Sequence, residues 1–223
     1  LTGVDSQAQT DDTVTVTGRV VNGTPGGQIP VGVPVELRVF DDTAVTAVYT
    51  STVTSKGAFR FDEVSTGSEN EFVMSAIYQD VRYASAPTSL STEGASDVQI
   101  TVYEITRDDA DVHVEQAHLF ILPRNERVQI AEVYSISNSG DRTYVGKQTA
   151  LADGTTLRFT LPADTRNLNV SESDLTGRYV SDASTLADTQ PIRPGSATVE
   201  ISFSYERPLQ EGMRVIRDLG LPI

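Results

Sequence analysis

Between Tyr49 and Tyr78 the chain reads YTSTVTSKGAFRFDEVSTGSENEFVMSAIY, three alternating polar–apolar runs broken by turns. This two-residue period recurs almost throughout from Thr13, and it narrows the fold more than any other feature, because it is the signature of strands with one buried face. The first run ends at Thr54, and Ser55-Lys56-Gly57 makes a tight turn. Ala58 to Phe61 starts the next strand, Asp62 to Glu69 reads as a polar loop carrying Gly67, and Glu71 to Tyr78 alternates again. Upstream, Val14, Val16, Gly18 and Val20 share one face, Asn22 to Gly27 is a long turn signal, and Val33 to Phe40 alternates up to a turn at Asp41-Asp42. Asp97 to Thr106 closes this group.

A charged break, Arg107-Asp108-Asp109-Ala110-Asp111, then reads as a linker, and a second group of strands begins at Val112. Its strands are expected at 112–121, 127–137, 142–145, 155–161, 166–170, 178–181 and 197–205, with a hairpin turn at Asn138 to Asp141. Glu115 to Leu122 has a partly helical spacing, but its flanking Val112 and Val114 favour a strand. No window of 12 or more residues carries a helical apolar stripe. With 223 residues the chain has room for two domains of roughly 100–120 residues each. The fold class expected is therefore all-β, two tandem antiparallel β-sandwiches: a polar, flexible N-terminal arm over 1–12, one sandwich over 13–107 and a second over 112–223. Met213 to Arg217 reads as a further strand, and the absence of a polar tail after Gly220-Leu221-Pro222-Ile223 suggests a chain that continues past Ile223.

The residues from Thr13 to Thr106 resemble the carboxypeptidase regulatory-like domain, a transthyretin-like Greek-key sandwich of seven strands. The likeness rests on VTVTGRVVNGTPGG at 14–27, PVELRVF at 34–40, TSKGAFRFDEV at 54–64 and EFVMSAIYQDVRYAS at 71–85. The family's D-x-x-G-x-F-x-F-x-x-V-x-x-G pattern is met by Gly57, Phe59, Phe61, Val64 and Gly67, while Thr54 departs from its acidic first position. The resemblance covers somewhat under half the chain and carries no catalytic residue, since such domains are mostly accessory, adhesive or structural. The second half, through VYSISNSGDRTYVG at 133–146, is similar to an Ig-like sandwich that accompanies such domains in envelope proteins, where a membrane anchor commonly follows.

The chemistry-bearing residues are sparse. The chain has 31 acidic against 17 basic residues, a formal charge of −14, and so lacks the basic footprint of a nucleic-acid or anionic-membrane binder. Without cysteine it has no disulfide, thiolate site or Cys nucleophile. Its two histidines, His113 and His118, are five residues apart, which on one regular strand puts them on opposite faces. Asp108, Asp109 and Asp111 form an oxygen-rich segment and are the candidate Ca²⁺ ligands, although aspartate is also an ordinary turn residue and no EF-hand spacing is present. No G-x-S-x-G motif supports serine catalysis. Tyr78, Tyr83 and Tyr103 are candidates for a small surface cluster, and Asn22-Gly23-Thr24 and Asn169-Val170-Ser171 match the glycosylation sequon. The lysine-dependent isopeptide of pilin-type sandwiches finds no buried lysine: Lys56 is in a turn and Lys147 lies just past a strand.

These features point to a non-enzymatic, extracytoplasmic structural or partner-binding module without a cofactor, the ectodomain of an envelope-anchored protein. Its expected partner is another envelope protein, or a second copy joined by β-strand addition. A carbohydrate-binding accessory role is the remaining alternative.

Overall fold

The structure is a computed structural model that describes residues 13–65, 71–89, 95–170 and 177–216; the expected arm over 1–12, the loop at Gly67 and the chain end from 217 lie outside them. The fold is all-β. The chain divides into two compact units, Leu1–Val102 and Tyr103–Ile223.

In the first unit, β1 (Thr13–Asn22) is flanked by β4 (Ala58–Ser65) and β8 (Ala95–Val102). The facing sheet runs β3 (Ala44–Thr52), β2 (Pro34–Asp41), β5 (Glu71–Tyr78), β6 (Val81–Ala84), and β7 (Thr88–Ser89) joins β5. The alternation works as expected: Val16, Val20, Phe59, Phe61, Ile100 and Val102 of one sheet are buried, as are Val35, Leu37, Val39, Phe72, Met74 and Tyr83 of the other. Two sheets with apolar inner faces are the sandwich arrangement.

Three local expectations need correction. Gly57 does sit in a tight turn, with φ of 79° and its N–H donating to the Thr54 carbonyl, but β3 pairs with β2 and β4 with β1. The turn therefore hands the chain from one sheet to the other and does not close a hairpin. Asp62 and Glu63 are not a loop. They form a bulge within β4, with Glu63 at φ 56°, which lets Val64 return to the core opposite Val14. Finally, pairing is antiparallel apart from two ladders: β8 runs parallel to β1, and β9 (Ile105–Thr106) runs parallel to β12 (Thr143–Tyr144).

That second ladder moves the boundary between the units. The expected strand 97–106 breaks at Tyr103-Glu104, and its last two residues, Ile105 and Thr106, pair with Thr143 and Tyr144. Residues 107–111 are consequently a loop inside the second unit and not a linker. The main sheet of this unit has the order β10 (Val112–Arg124), β11 (Arg127–Asn138), β17 (Gly195–Pro208), β14 (Arg166–Val170). A smaller sheet is formed by β13 (Leu157–Thr160), β16 (Thr185–Asp188) and β15 (Tyr179–Ser181). Asn138 to Asp141 is an Asx-type turn, with the Gly140 N–H donating to Asn138 Oδ1, but it leads into β12 and closes no hairpin. The two-residue hairpin of this unit is Asn125-Glu126, between β10 and β11, with Asn125 at φ 53°. Met213 to Ile216 is not a strand; Met213 and Val215 only pack against the core from its edge.

The second core is aromatic. Tyr134 stacks on Phe159 at 5.0 Å, Phe159 meets Phe203 at 5.1 Å, and Phe203 meets Tyr205 at 6.4 Å between ring centroids. Against it stands β16, buried at all four residues. Its Asp188 is 0% exposed and is held by Arg178, whose Nη2 donates to Oδ2 at 2.6 Å and Nε to Oδ1 at 2.9 Å.

Two stability predictions follow from this packing. Phe59 fills the space over Gly18, where an added Cβ would stand 2.4 Å from Phe59 Cζ and 2.3 Å from the Val98 carbonyl oxygen. Phe59→Ala is expected to destabilise the first unit by about 3–5 kcal/mol in urea unfolding; a cost under about 1 kcal/mol would mean the side chain is not in the core. In the second unit, Arg178→Met strands the Asp188 carboxylate in a buried setting and is expected to cost about 3–5 kcal/mol. Arg207→Met, which releases the half-buried Asp164, is expected to cost about 1 kcal/mol or less. Equal costs for the two would contradict the burial contrast.

Candidate functional site

The residues that converge lie on β10. The strand pairs with β11 along its whole length, and opposite residues of an antiparallel ladder share a face. Val112 and Val114 are opposite Asn138 and Ile136 on the buried side. The ladder then slips: Val114 pairs with Ile136 but Gln116 with Ser135, so Glu115 is an extra, bulged residue. One consequence reverses an expectation. The bulge puts His113 and His118 on the same face, opposite Ser137 and Val133. Those partners are four residues apart, about 13 Å of strand, so the two imidazoles do not share an ion.

Glu115, two residues along from His113, lies beside its ring. His113 Nε2 lies 2.9 Å from Glu115 Oε1 and 2.9 Å from Ser137 Oγ, and the Ser137 hydroxyl donates to Glu115 Oε1 at 2.7 Å. The other ring nitrogen, Nδ1, is 3.3 Å from the Asp111 carbonyl. Ser137 is buried, whereas the side chains of His113 and Glu115 are partly exposed. The Ser137 hydrogen bond, aided by His113, holds the Glu115 carboxyl below the ordinary glutamate range. The group borders a cavity of about 470 Å³ whose other walls include Gln116, Ser135 and Thr198. The arrangement differs from a Ser-His-Asp triad: Glu115 and Ser137 both face Nε2, whereas in a triad the carboxylate holds the other ring nitrogen.

Beyond the bulge, β10 changes character. Leu119, Phe120, Ile121 and Leu122 are 38%, 54%, 50% and 48% exposed, and among the described residues no strand pairs with the other side of β10. Both faces take part: Leu119 and Ile121 are opposite Glu132 and Ile130 on the core side, and Phe120 stacks on His118 at 6.4 Å on the outer side.

The three aspartates expected to bind Ca²⁺ are not brought together as ligands. Asp109 Oδ2 accepts from Lys147 Nζ at 2.7 Å, an attraction that raises the lysine above its ordinary value. Asp108 Oδ1 accepts from the Ala110 N–H, and the Asp111 carbonyl from the Ser139 N–H. Among the described residues no group of three or more His, Asp or Glu surrounds a common point. Of the three candidate tyrosines, Tyr83 is buried in the first core, and Tyr103 belongs to the second unit. Asn22 of the first sequon has its amide engaged, accepting from the Thr24 N–H and donating to the Gln28 carbonyl. Sequence reasoning missed the His113–Glu115–Ser137 group because Ser137 lies on β11, and the pairing that sets it opposite His113 is not written in the sequence. The one available signal was the i, i+2 spacing of His113 and Glu115.

No family model and no curated protein matches the chain. Among solved structures it is similar to a DUF3823 family protein from Parabacteroides merdae ATCC 43184, at 14% identity and a TM-score of 0.29, covering 84% of this chain and 79% of that one. So remote a likeness carries no functional argument, and it leaves the carboxypeptidase regulatory-like resemblance without confirmation.

The second unit's carboxylates set its acid response. Asp164 is held low by Arg207, Asp182 by the backbone and hydroxyl of Ser184, and Glu206 by Arg127 and Asn167. A carboxyl lowered in the folded state adds stability above its unfolded value and loses it as pH falls through the folded one. In 0.15 M salt, which screens the general repulsion, the urea midpoint is expected to be flat from about pH 7 to 5 and to drop below about pH 4. A midpoint that rises on acidification to pH 3 would contradict these pairings.

Proposed function

We propose that the chain is a non-enzymatic, extracytoplasmic module whose second unit binds a partner chain as an added strand along β10. What supports this reading is the row Leu119 to Leu122: four consecutive apolar residues, each more than one-third exposed, on a strand that among the described residues has no partner on its outer side. Sheet edges of this kind pair with extended segments, the backbone supplying affinity and the alternate side chains selectivity. The charge of −14 argues for the kind of occupant. Two copies of so acidic a chain repel each other, whereas a neutral or basic extended segment is attracted. The occupant in this reading is therefore a segment of another protein, apolar at alternate positions and flanked by Lys or Arg. The carboxypeptidase regulatory-like character of the first half and the envelope location belong to the same proposal, resting on the motif at Gly57 to Gly67.

The test is hydrogen exchange on the whole chain, with and without a soluble peptide alternating Val and Lys. Protection is expected at amides within 116–124, and Ile121→Lys is expected to abolish it without altering the protection of β17. Protection confined to other sheet edges, or none at all, overturns the reading. Concentration-dependent dimerisation of the free chain that Ile121→Lys removes would assign the edge to a second copy instead.

A further inference from the structure

We propose that His113 Nε2, Glu115 Oε1 and Ser137 Oγ form one face of an octahedral site for a divalent transition-metal ion. The three atoms make a nearly equilateral triangle with edges of 2.9, 2.9 and 2.7 Å. Neighbouring ligands on an octahedral ion with bonds of about 2.0–2.1 Å are separated by about 2.8–3.0 Å. A tetrahedral ion with similar bonds needs about 3.3–3.4 Å. The triangle thus has the dimensions of an octahedral face before any ion is considered.

The hydrogen accounting points the same way. The Asp111 carbonyl can only accept, so Nδ1 of His113 carries the hydrogen that faces it and Nε2 keeps a lone pair. Ser137 has one hydrogen and two acceptors for it, Glu115 Oε1 and His113 Nε2. One hydrogen thus serves three close pairs of atoms, and the lone pairs left facing one another favour a positive charge at the centre. A proton on Nε2 supplies it, and so does a metal ion bound to the Nε2 lone pair. A ring N–H directed at a backbone carbonyl is the usual way a metal-ligating histidine is oriented. One imidazole nitrogen with two oxygens in octahedral array suits Co²⁺, Ni²⁺ or Mn²⁺ better than Ca²⁺, which takes oxygen ligands at longer distances. The remaining positions face solvent and the adjoining cavity, and the acidic chain raises the local cation concentration.

This site is independent of whether a strand adds to β10, and it is tested without a partner. Co²⁺ is titrated into the whole chain while the rings of its two histidines are followed by proton–nitrogen NMR. The expected result is a paramagnetic shift of His113 near one equivalent, with His118 responding only at large excess. Glu115→Gln, close in shape, is expected to weaken the His113 response by on the order of tenfold or more. Glu126→Gln, which removes a charge from the hairpin turn of the same strand pair, is expected to leave it unchanged. The proposal is overturned if both histidines shift together, if Glu115→Gln has no effect, or if Glu126→Gln weakens binding as much, which would reduce the response to diffuse attraction by an acidic surface.

Discussion

The second unit depends on the burial of one face of β11. Val128, Ile130, Tyr134 and Ile136 project from it into the core, and its backbone is paired on both sides, by β10 and by β17. The core rings of Phe159, Phe203 and Tyr205 assemble against Tyr134 from this platform. Even the polar member of the face is accommodated: Glu132 is buried and accepts a hydrogen bond from the Tyr134 hydroxyl. A strand held this firmly can carry a neighbour that contributes little to the core itself. That is the position of β10, which buries Val112 and Val114 and leaves the rest of its length exposed.

The bulge at Glu115 divides β10 into two parts with different physics. On one side the strand is anchored in the core and aims polar groups at a cavity. On the other it keeps its backbone ladder to β11 but lacks an apolar layer beneath it. A regular strand would have sent His113 and Glu115 to one face and carried His118 to the other. The extra residue returns His118 to the face that His113 and Glu115 already share. Bulges are favoured where a side chain must be re-aimed, and this one does so at the cost of a single unpaired position.

The legible part of the fold is the part governed by alternation. Val35, Leu37 and Val39 lie inward as their spacing demands, and so do Phe59 and Phe61. What the sequence hides is partnership. The turn at Gly57 has the residues of a hairpin, yet its strands belong to different sheets, because β4 is claimed by the buried face of β1 and not by its neighbour in sequence. Strand β16 was invisible for a related reason. Thr185, Leu186, Ala187 and Asp188 show no alternation because both faces are covered, and its charged end is held by Arg178, ten residues upstream, and by the Gln190 N–H. At the candidate site the limit was sharper. Asp108, Asp109 and Asp111 advertise themselves by composition but are absorbed by Lys147 and by backbone turns, whereas His113, Glu115 and Ser137 come from two strands and meet only through the β10–β11 pairing.

An exposed apolar edge is a hazard that sheet proteins normally blunt with charge, proline or a bulge. All three devices occur on β10, but at its margins: the bulge at Glu115, Pro123 without an N–H, and Arg124 beside the hairpin turn. They bracket Ala117 to Leu122 and leave it open, about 20 Å of strand. A protein that merely tolerated this edge would place a charge in its middle, where one lysine would stop another strand from pairing. The safeguards instead limit how far an added strand can extend in either direction. In the proposed reading, a short, bounded, apolar ladder beside β11 favours one defined segment over open-ended stacking.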